Sequence, residues 1–326
     1  MLNFPFTSLE MTTAINRLPP KNKWLSNTGI YGVTKPVSTA VVLVGINEEG
    51  TVGLLTNSPR GSEGEIITKD AKHKVAISVA HFPSRDIITP GDIQGMQELA
   101  ASGMVDTTFE DEFIKRLEKL RKYHDTMREY MRIAASRGVL RDKKGEMLSL
   151  FDVFGMEQTT IAFNLDNEAT DVKAKCADVQ DHIAEKMGDA DYGKIEVPVG
   201  RTFFDKLRNH ASVKEAYSLW ANATGFTDPV DKPFEFGELS FRVVRGTVGG
   251  EPFVPATEGY PVIMGADGLY IDHNGPAHSV KAANQPGVDI YLTTKDLDHE
   301  GGVEIKAQSN PLPLCTNPAA IPKLTA

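Results

Sequence analysis

One stretch limits the folds open to this chain more than any other: residues 107–137. Apolar side chains recur there at Phe113, Leu117, Leu120, Met127, Met131 and Ala134, and His124 fills the gap in the stripe. That period predicts one continuous helix with a single apolar seam. Roughly thirty residues at helical rise span ~45 Å, longer than an ordinary globular helix. A rod of that length needs a surface to lie against. Its ends are well specified. Thr107 and Glu110 have capping-box spacing, and Asp106, Glu110, Asp111 and Glu112 crowd the positive end of the dipole. Arg128, Arg132 and Arg137 lie toward the other end, and Gly138 supplies the stop. Asp111–Lys115, Glu112–Arg116 and Glu118–Lys122 are i,i+4 pairs worth ~0.3 kcal/mol each. The charged face reads either as solvated or as a rod touching neighbouring subunits. A coiled-coil dimer has too few clean heptads behind it.

The rest of the chain bounds the class. Its 326 residues suffice for two cores or one elaborated one. No run approaches a membrane span, and Met1–Thr7 lacks the basic start of a signal peptide. Two cysteines, Cys176 and Cys315, predict reduced thiols rather than a disulfide framework. Residues 1–163 carry 20 acidic and 20 basic side chains, whereas 164–326 carry 24 and 15, so the whole net charge of −9 lies in the second half. Such a half is ill suited to gripping a phosphate backbone.

Residues 1–36 read as loop-like, with a short amphipathic turn at Met11–Leu18 stopped by Pro19-Pro20. Trp24, Ile30 and Tyr31 are its apolar anchors, and packing on its own subunit or on a neighbour is equally open. Ser38–Ile46 reads as a strand. Thr51–Ser84 reads as a long hairpin-like excursion with a Gly- and Pro-rich tip. Such an excursion is marginal alone and offers edges to another chain. Asp92–Ser102 is a short helix. Val139–Arg141 and Glu146–Phe151 form a hairpin. Val172–Met187, Phe203–His210 and Val213–Ala223 are helices, and Phe234–Arg245, Val288–Thr293 and Gly302–Gln308 are strands. Phe253–Asp272 is a punctuated loop, and the proline-rich tail Ser309–Ala326 is irregular.

The usual chemical constellations are missing. No phosphate loop, dinucleotide fingerprint, nucleophile elbow or H-E-x-x-H occurs. His273 and His278, beside Asp272, come nearest to a metal cluster, but no third ligand has forced geometry. His124 sits on the helical seam as a packing residue, and Cys176 reads as a small buried hydrophobe. The basic cluster Arg137, Arg141, Lys143 and Lys144 reads as a solvated turn or as a group that meets phosphate or an acidic neighbour.

Six ordered segments carry a resemblance. They are SLEMTTAINRLP (8–19), PRGSEG (59–64) with AHFPSRDIITPGDIQG (80–95), RGVLRDKKGEMLSLFDVFG (137–155), FFDKLRNHASVKEAY (203–217), FEFGELSFRVVRG (234–246) and QSNPLPLCTNP (308–318). Together they resemble the lambda-like phage major capsid protein family (major head protein E). Ala135-Ser136-Arg137 departs from the Leu-Lys usual there.

The resemblance implies an α+β chain of the Hong Kong-97-type phage capsid fold. It implies an N-terminal arm (1–36), an extended β-hairpin loop with flanking strands (37–90) and a peripheral domain with a long spine helix (91–165). An axial domain (166–274) and a return to the peripheral sheet with the tail (275–326) complete it. The expected function is a structural major capsid protein of a tailed bacteriophage or prophage, not an enzyme and with no cofactor. It would self-assemble into hexamers and pentamers of an icosahedral head enclosing double-stranded DNA, without sequence-specific binding. The partners implied are a decoration protein at threefold sites and a scaffold-protease and portal during assembly. No membrane is involved, and the place is the virion, assembled in the bacterial host cytoplasm. Contacts between subunits are expected from Trp24 and Tyr31 in the arm, from Arg60, Glu63 and Lys69 in the loop, and from Arg116, Lys119 and Arg128 on the helix. The alternatives are an encapsulin-like or other phage structural shell protein, or a small-molecule enzyme with a site near His273.

Overall fold

The computed structural model describes residues 8–18, 24–46, 73–92, 109–188, 190–224, 232–248, 250–282 and 284–326. The chain divides into two compact units. The first takes Met1–Val42, Ile77–Glu129 and Asp272–Pro313, and the second takes Leu43–Ala76, Tyr130–Ile271 and Leu314–Ala326. Neither unit is continuous in sequence.

The first unit is a helix laid on a sheet. The long helix is Phe109–Ala135, 27 residues. Its expected cap at Thr107 lies outside the described residues. Strands Phe82–Ile88, Val303–Ser309 and Tyr291–Asp296 form an antiparallel sheet with Val303–Ser309 in the middle. Phe113, Leu117 and Leu120 meet Ile88, Ile290, Leu292, Ile305 and Ala307, and Met11 and Ile15 join the same core. The first half of the seam is therefore buried against a sheet of its own subunit. Period-2 alternation along the strands turns these residues inward and leaves Arg85 and Ile87 outside. The excursion expected to run to Ser84 ends earlier, because Phe82 already pairs with Ser309.

The second unit is a mixed sheet flanked by helices. The strand order is Thr160–Ala162, Lys323–Thr325, Glu258–Gly259, Ile195–Val199, Leu239–Val243 and Phe234–Phe236, and Val262–Ile263 also pairs with Ile195–Val199. Phe163 packs edge-on against Phe203 and Phe241, with centroids 5.5 and 6.5 Å away. Helix Val172–Met187 begins at Asp171, whose Oδ1 accepts from the Lys173 and Ala174 amides. It presents Val172, Cys176, Val179 and Ile183 to this core.

Three expectations need correction. Ile195–Val199, central to the sheet, carries Pro198 and was not expected as a strand. Its neighbour breaks into Glu258–Gly259 and Val262–Ile263 in constant register, Gly259↔Val199 and Val262↔Glu196. Pro198 and Pro261 lack amide protons, so the ladder thins there without losing alignment. Phe234–Arg245 is a hairpin rather than one strand. Gly237 and Glu238, both at positive φ, make its two-residue turn. A Cβ on Gly237 would strike Cys176. The tail is also regular. Pro311–Cys315 is the edge strand of a three-stranded sheet, a place where missing amide protons are tolerated. Lys323–Thr325 is an interior strand, held parallel to Thr160–Ala162 and antiparallel to Glu258–Gly259.

Candidate assembly surfaces

A protein that works by its surfaces has to hold its projecting pieces at fixed places. The first unit does so with buried polar groups on the long helix. Glu129 is buried, and its Oε1 accepts the Leu25 amide at 2.7 Å. Its Oε2 accepts the Ser26 amide and hydroxyl at 3.1 and 2.6 Å. The carboxylate thus satisfies the opening amides of the short helix Trp24–Thr28. About two turns earlier on the helix, Arg121 donates to Ile15 O at 3.0 Å and pairs with Asp125. Arg121 and Glu129 therefore tie the two described helices of the arm, Ser8–Arg17 and Trp24–Thr28, to the unit's own long helix.

The N-terminal helix Ser8–Arg17 also meets a strand edge. Thr12 Oγ1 accepts the Leu292 amide (3.0 Å) and donates to Leu292 O (3.3 Å). Asn16 Oδ1 accepts the Ile290 amide (3.2 Å), and its Nδ2 donates to Ile290 O (2.9 Å). Two side chains one helical turn apart thus satisfy both main-chain groups of Leu292, in the strand Tyr291–Asp296, and of Ile290, just before it.

His124 lies between the long helix and the sheet. Its Nε2 is 2.8 Å from Ser84 Oγ and its Nδ1 is 2.7 Å from Ser309 Oγ. Burial first, then the charges of Arg121 and Arg128, push its pKa down to about 4. The neutral ring joins the helix to two strands, a packing role as expected.

The remaining residues expected at contacts fall in different settings. Trp24 is half-buried at the start of its short helix, and Tyr31 is buried. Arg60, Glu63 and Lys69 lie outside the described residues. Arg116 pairs with Asp86 at 3.0 Å and Asp92 at 3.6 Å, and Lys119 reaches Asp86 at 3.5 Å while staying 53% exposed. Arg128, only 13% exposed, bonds Asp289 at 3.1 Å and also the Asn274 side chain. Burial works to raise the Asp289 carboxyl, but Arg128 and Asn274 outweigh it and hold it below the usual range. Arg116, Lys119 and Arg128 thus each pair with an acid of the same unit. Exposed apolar groups mark other surfaces of the first unit: Leu9, Val33, Ile114, Tyr123 and Val280.

In the second unit Arg137 is buried at the end of the long helix. It stacks 4.5 Å over the Tyr260 ring and donates to Phe253 O at 3.0 Å. Tyr260 donates to Glu258, which also pairs with Lys323 at 2.5 Å. The basic cluster is therefore split: Arg137 is structural, while Lys143 and Lys144 stay at the hairpin turn. Among the described residues no group of three or more His, Cys, Asp or Glu is placed for a metal ion. His81 and His278 lie 6.0 Å apart, and His81 bonds Asn310.

Sequence reasoning missed Arg121 and Glu129, which it had left in the charged face. Their helical neighbours include Glu118, Asp125, Thr126 and Arg132, so the local pattern carried no signal for their burial.

Comparison with known proteins agrees with this architecture. Over residues 7–326 the chain matches the family described as phage major capsid protein E. The major capsid protein of Salmonella phage Felix O1 is 26% identical, with 96% of this chain and 94% of that protein covered. That of Pseudomonas phage KPP10 is also 26% identical, covering 94% and 93%. A solved structure described as the capsid protein of an Escherichia coli CFT073 prophage matches with a TM-score of 0.59 at 13% identity, over 98% of this chain and 99% of that one. A phage-related protein from Bordetella bronchiseptica RB50 matches at 0.51 and 8% identity, over 97% and 95%. At such identities these structures speak for the fold, the Hong Kong-97-type α+β capsid fold. The chain belongs to the phage major capsid protein E family: it is a structural capsid subunit of a tailed phage or prophage, a component of the virion, and not an enzyme.

Proposed function

We propose that copies of this chain form hexamers and pentamers that tile an icosahedral head around double-stranded DNA. The observation that carries this reading is the family match from residue 7 to 326, which takes in both compact units. In this reading the first unit, helix on sheet, is the peripheral domain with the spine helix. The second unit contains the axial domain, and residues 1–36 form the arm. Residues 37–90 form the extended loop with its flanking strands, and Arg60, Glu63 and Lys69 on it reach a neighbouring subunit. Lys119 and Trp24 join them at subunit contacts. Tyr31, Arg116 and Arg128 serve first to hold the arm and sheet of their own subunit. A net charge of −9 suits a wall that encloses DNA without gripping it. Assembly takes place in the bacterial host cytoplasm with a scaffold-protease and a portal, and a decoration protein binds at threefold sites.

The test is removal of residues 51–72, replaced by a short Gly-Ser linker. The cut stops before strand His73–Ser78, so the two units keep their described elements. Helicity is expected to persist while closed shells disappear from electron micrographs. Normal shells from this variant would overturn the role given to the loop.

A further inference from the structure

Three segments of the first unit, at residues 79–81, 275–278 and 310, converge on a pair of histidines. His81 stands just before strand Phe82–Ile88, and His278 follows Gly275-Pro276-Ala277. Both are exposed. Their ring centroids are 6.0 Å apart, and the rings are tilted by 58°. The segments that carry them are in tight contact. A Cβ on Gly275 would lie 2.7 Å from Val79 Cγ1, so only a glycine leaves room for Val79 there.

Asn310 ties the pair together. It is buried, with 3% exposure. Its main-chain carbonyl accepts the Gly275 amide at 2.8 Å, and its Nδ2 donates to Pro276 O at 2.8 Å. Pro276 O can only accept, so turning the amide over would set two oxygens against each other. Oδ1 is therefore the atom that faces His81 Nδ1, at 2.8 Å, and Nδ1 must be the donor. The neutral His81 ring then carries its hydrogen on Nδ1 and a lone pair on Nε2. Metal-binding imidazoles are prepared in this way. The far nitrogen donates its hydrogen to an oxygen of the protein, which fixes both tautomer and orientation. Attraction between the two rings would require no particular tautomer, whereas Asn310 sets one.

The spacing suits a shared ion. With metal–nitrogen bonds of ~2.1 Å and a ring nitrogen ~1.2 Å from its centroid, two imidazoles on one ion have centroids ~4.6 to ~6.5 Å apart as the angle at the metal opens from ~90° to ~180°. The observed 6.0 Å lies inside that range. Among the described residues no group of three or more His, Cys, Asp or Glu is placed for a metal ion. The pair therefore offers two protein ligands, with water at the other positions. Imidazole ligands favour late first-row ions over Mg²⁺ and Ca²⁺, which take oxygen.

We propose that His81 and His278 form a two-histidine site for a late first-row divalent ion (Zn²⁺, Ni²⁺ or Cu²⁺), with Asn310 as its positioning residue. The bound ion joins the start of strand Phe82–Ile88 to the segment that carries His278. The site belongs to the single chain and does not depend on assembly into shells.

Isothermal titration calorimetry of the untagged full chain with ZnCl₂ tests this. The wild type is expected to bind one ion at this site, and His81→Ala and His278→Ala should each weaken that binding at least tenfold. Both positions are exposed, so neither change disturbs the core. His299→Asn, at another exposed histidine of the first unit, should leave binding unchanged. Asn310→Leu keeps both ligands but releases the His81 ring, and should weaken binding at least tenfold. Asn310→Asp still accepts from Nδ1 and should restore it. No zinc binding by the wild type, or wild-type affinity in either histidine variant, would overturn the proposal. Wild-type affinity in Asn310→Leu would overturn the role given to Asn310. The histidine variants decide the site even if a change at Asn310 unfolds the chain.

Discussion

Acidification should weaken the first unit, by an amount that follows from His124. The ring is buried between Ser84 and Ser309 and is held neutral, with a pKa of about 4. In the unfolded chain it titrates near 6.5. The folded pKa is the lower one, so the unfolded state takes up the proton first. The stabilisation is complete above the unfolded pKa and is lost as pH falls from about 6.5 toward 4. Linkage puts the loss between pH 7 and pH 5 at about 2 kcal/mol, approaching ~3 kcal/mol below pH 4. Arg121 and Arg128 stay charged throughout, so their repulsion of an imidazolium does not fade. The two tryptophans make the assay specific. Trp24 lies in the first unit and Trp220 in the second, so a Trp220→Phe background reports on the first alone. Urea unfolding of free subunits, read by Trp24 fluorescence, should lose ~1 M in midpoint between pH 7 and pH 5 for a typical urea dependence. His124→Gln, uncharged at every pH, should be less stable at pH 7 but should have a flatter profile by the same ~2 kcal/mol. Parallel profiles for the two proteins would refute the argument.

Other outcomes follow from single contacts. Glu129→Ala leaves the Leu25 and Ser26 amides without their acceptor, and should cost ~3 kcal/mol and speed amide exchange across Trp24–Thr28. Removal of Lys323–Ala326 takes out an interior strand, and circular dichroism with limited proteolysis should show the second unit unfolded. Burial holds the thiols of Cys176 and Cys315 up at about 12, so neither should react with a thiol reagent at pH 8 until the protein is denatured.

The long helix was legible because its apolar period is strong and its partner is a flat sheet. Phe113, Leu117 and Leu120 needed no knowledge of that partner to be placed inside. Arg121 and Glu129 were not legible, because a charged residue is buried only when distant groups complement it. Their partners, Ile15 O and the Leu25 and Ser26 amides, lie over a hundred residues away in sequence. Proline misled twice. Pro198 sits in a central strand opposite a neighbour interrupted by its own Pro261, and Pro311 and Pro313 sit in an edge strand. In each case the tolerance comes from strand order, which a local pattern does not contain. The surfaces were the least legible part. Arg116 and Arg128 look like solvent-facing cations until Asp86, Asp92, Asp272 and Asp289 are brought beside them.

The central claim is that this chain builds a closed shell. Electron microscopy of the purified full-length protein, concentrated under assembly conditions, tests it most directly. The account predicts closed icosahedral particles with five- and sixfold clusters in their averaged images. A population that stays monomeric at 35.6 kDa under every condition, or that forms only open aggregates, would contradict it.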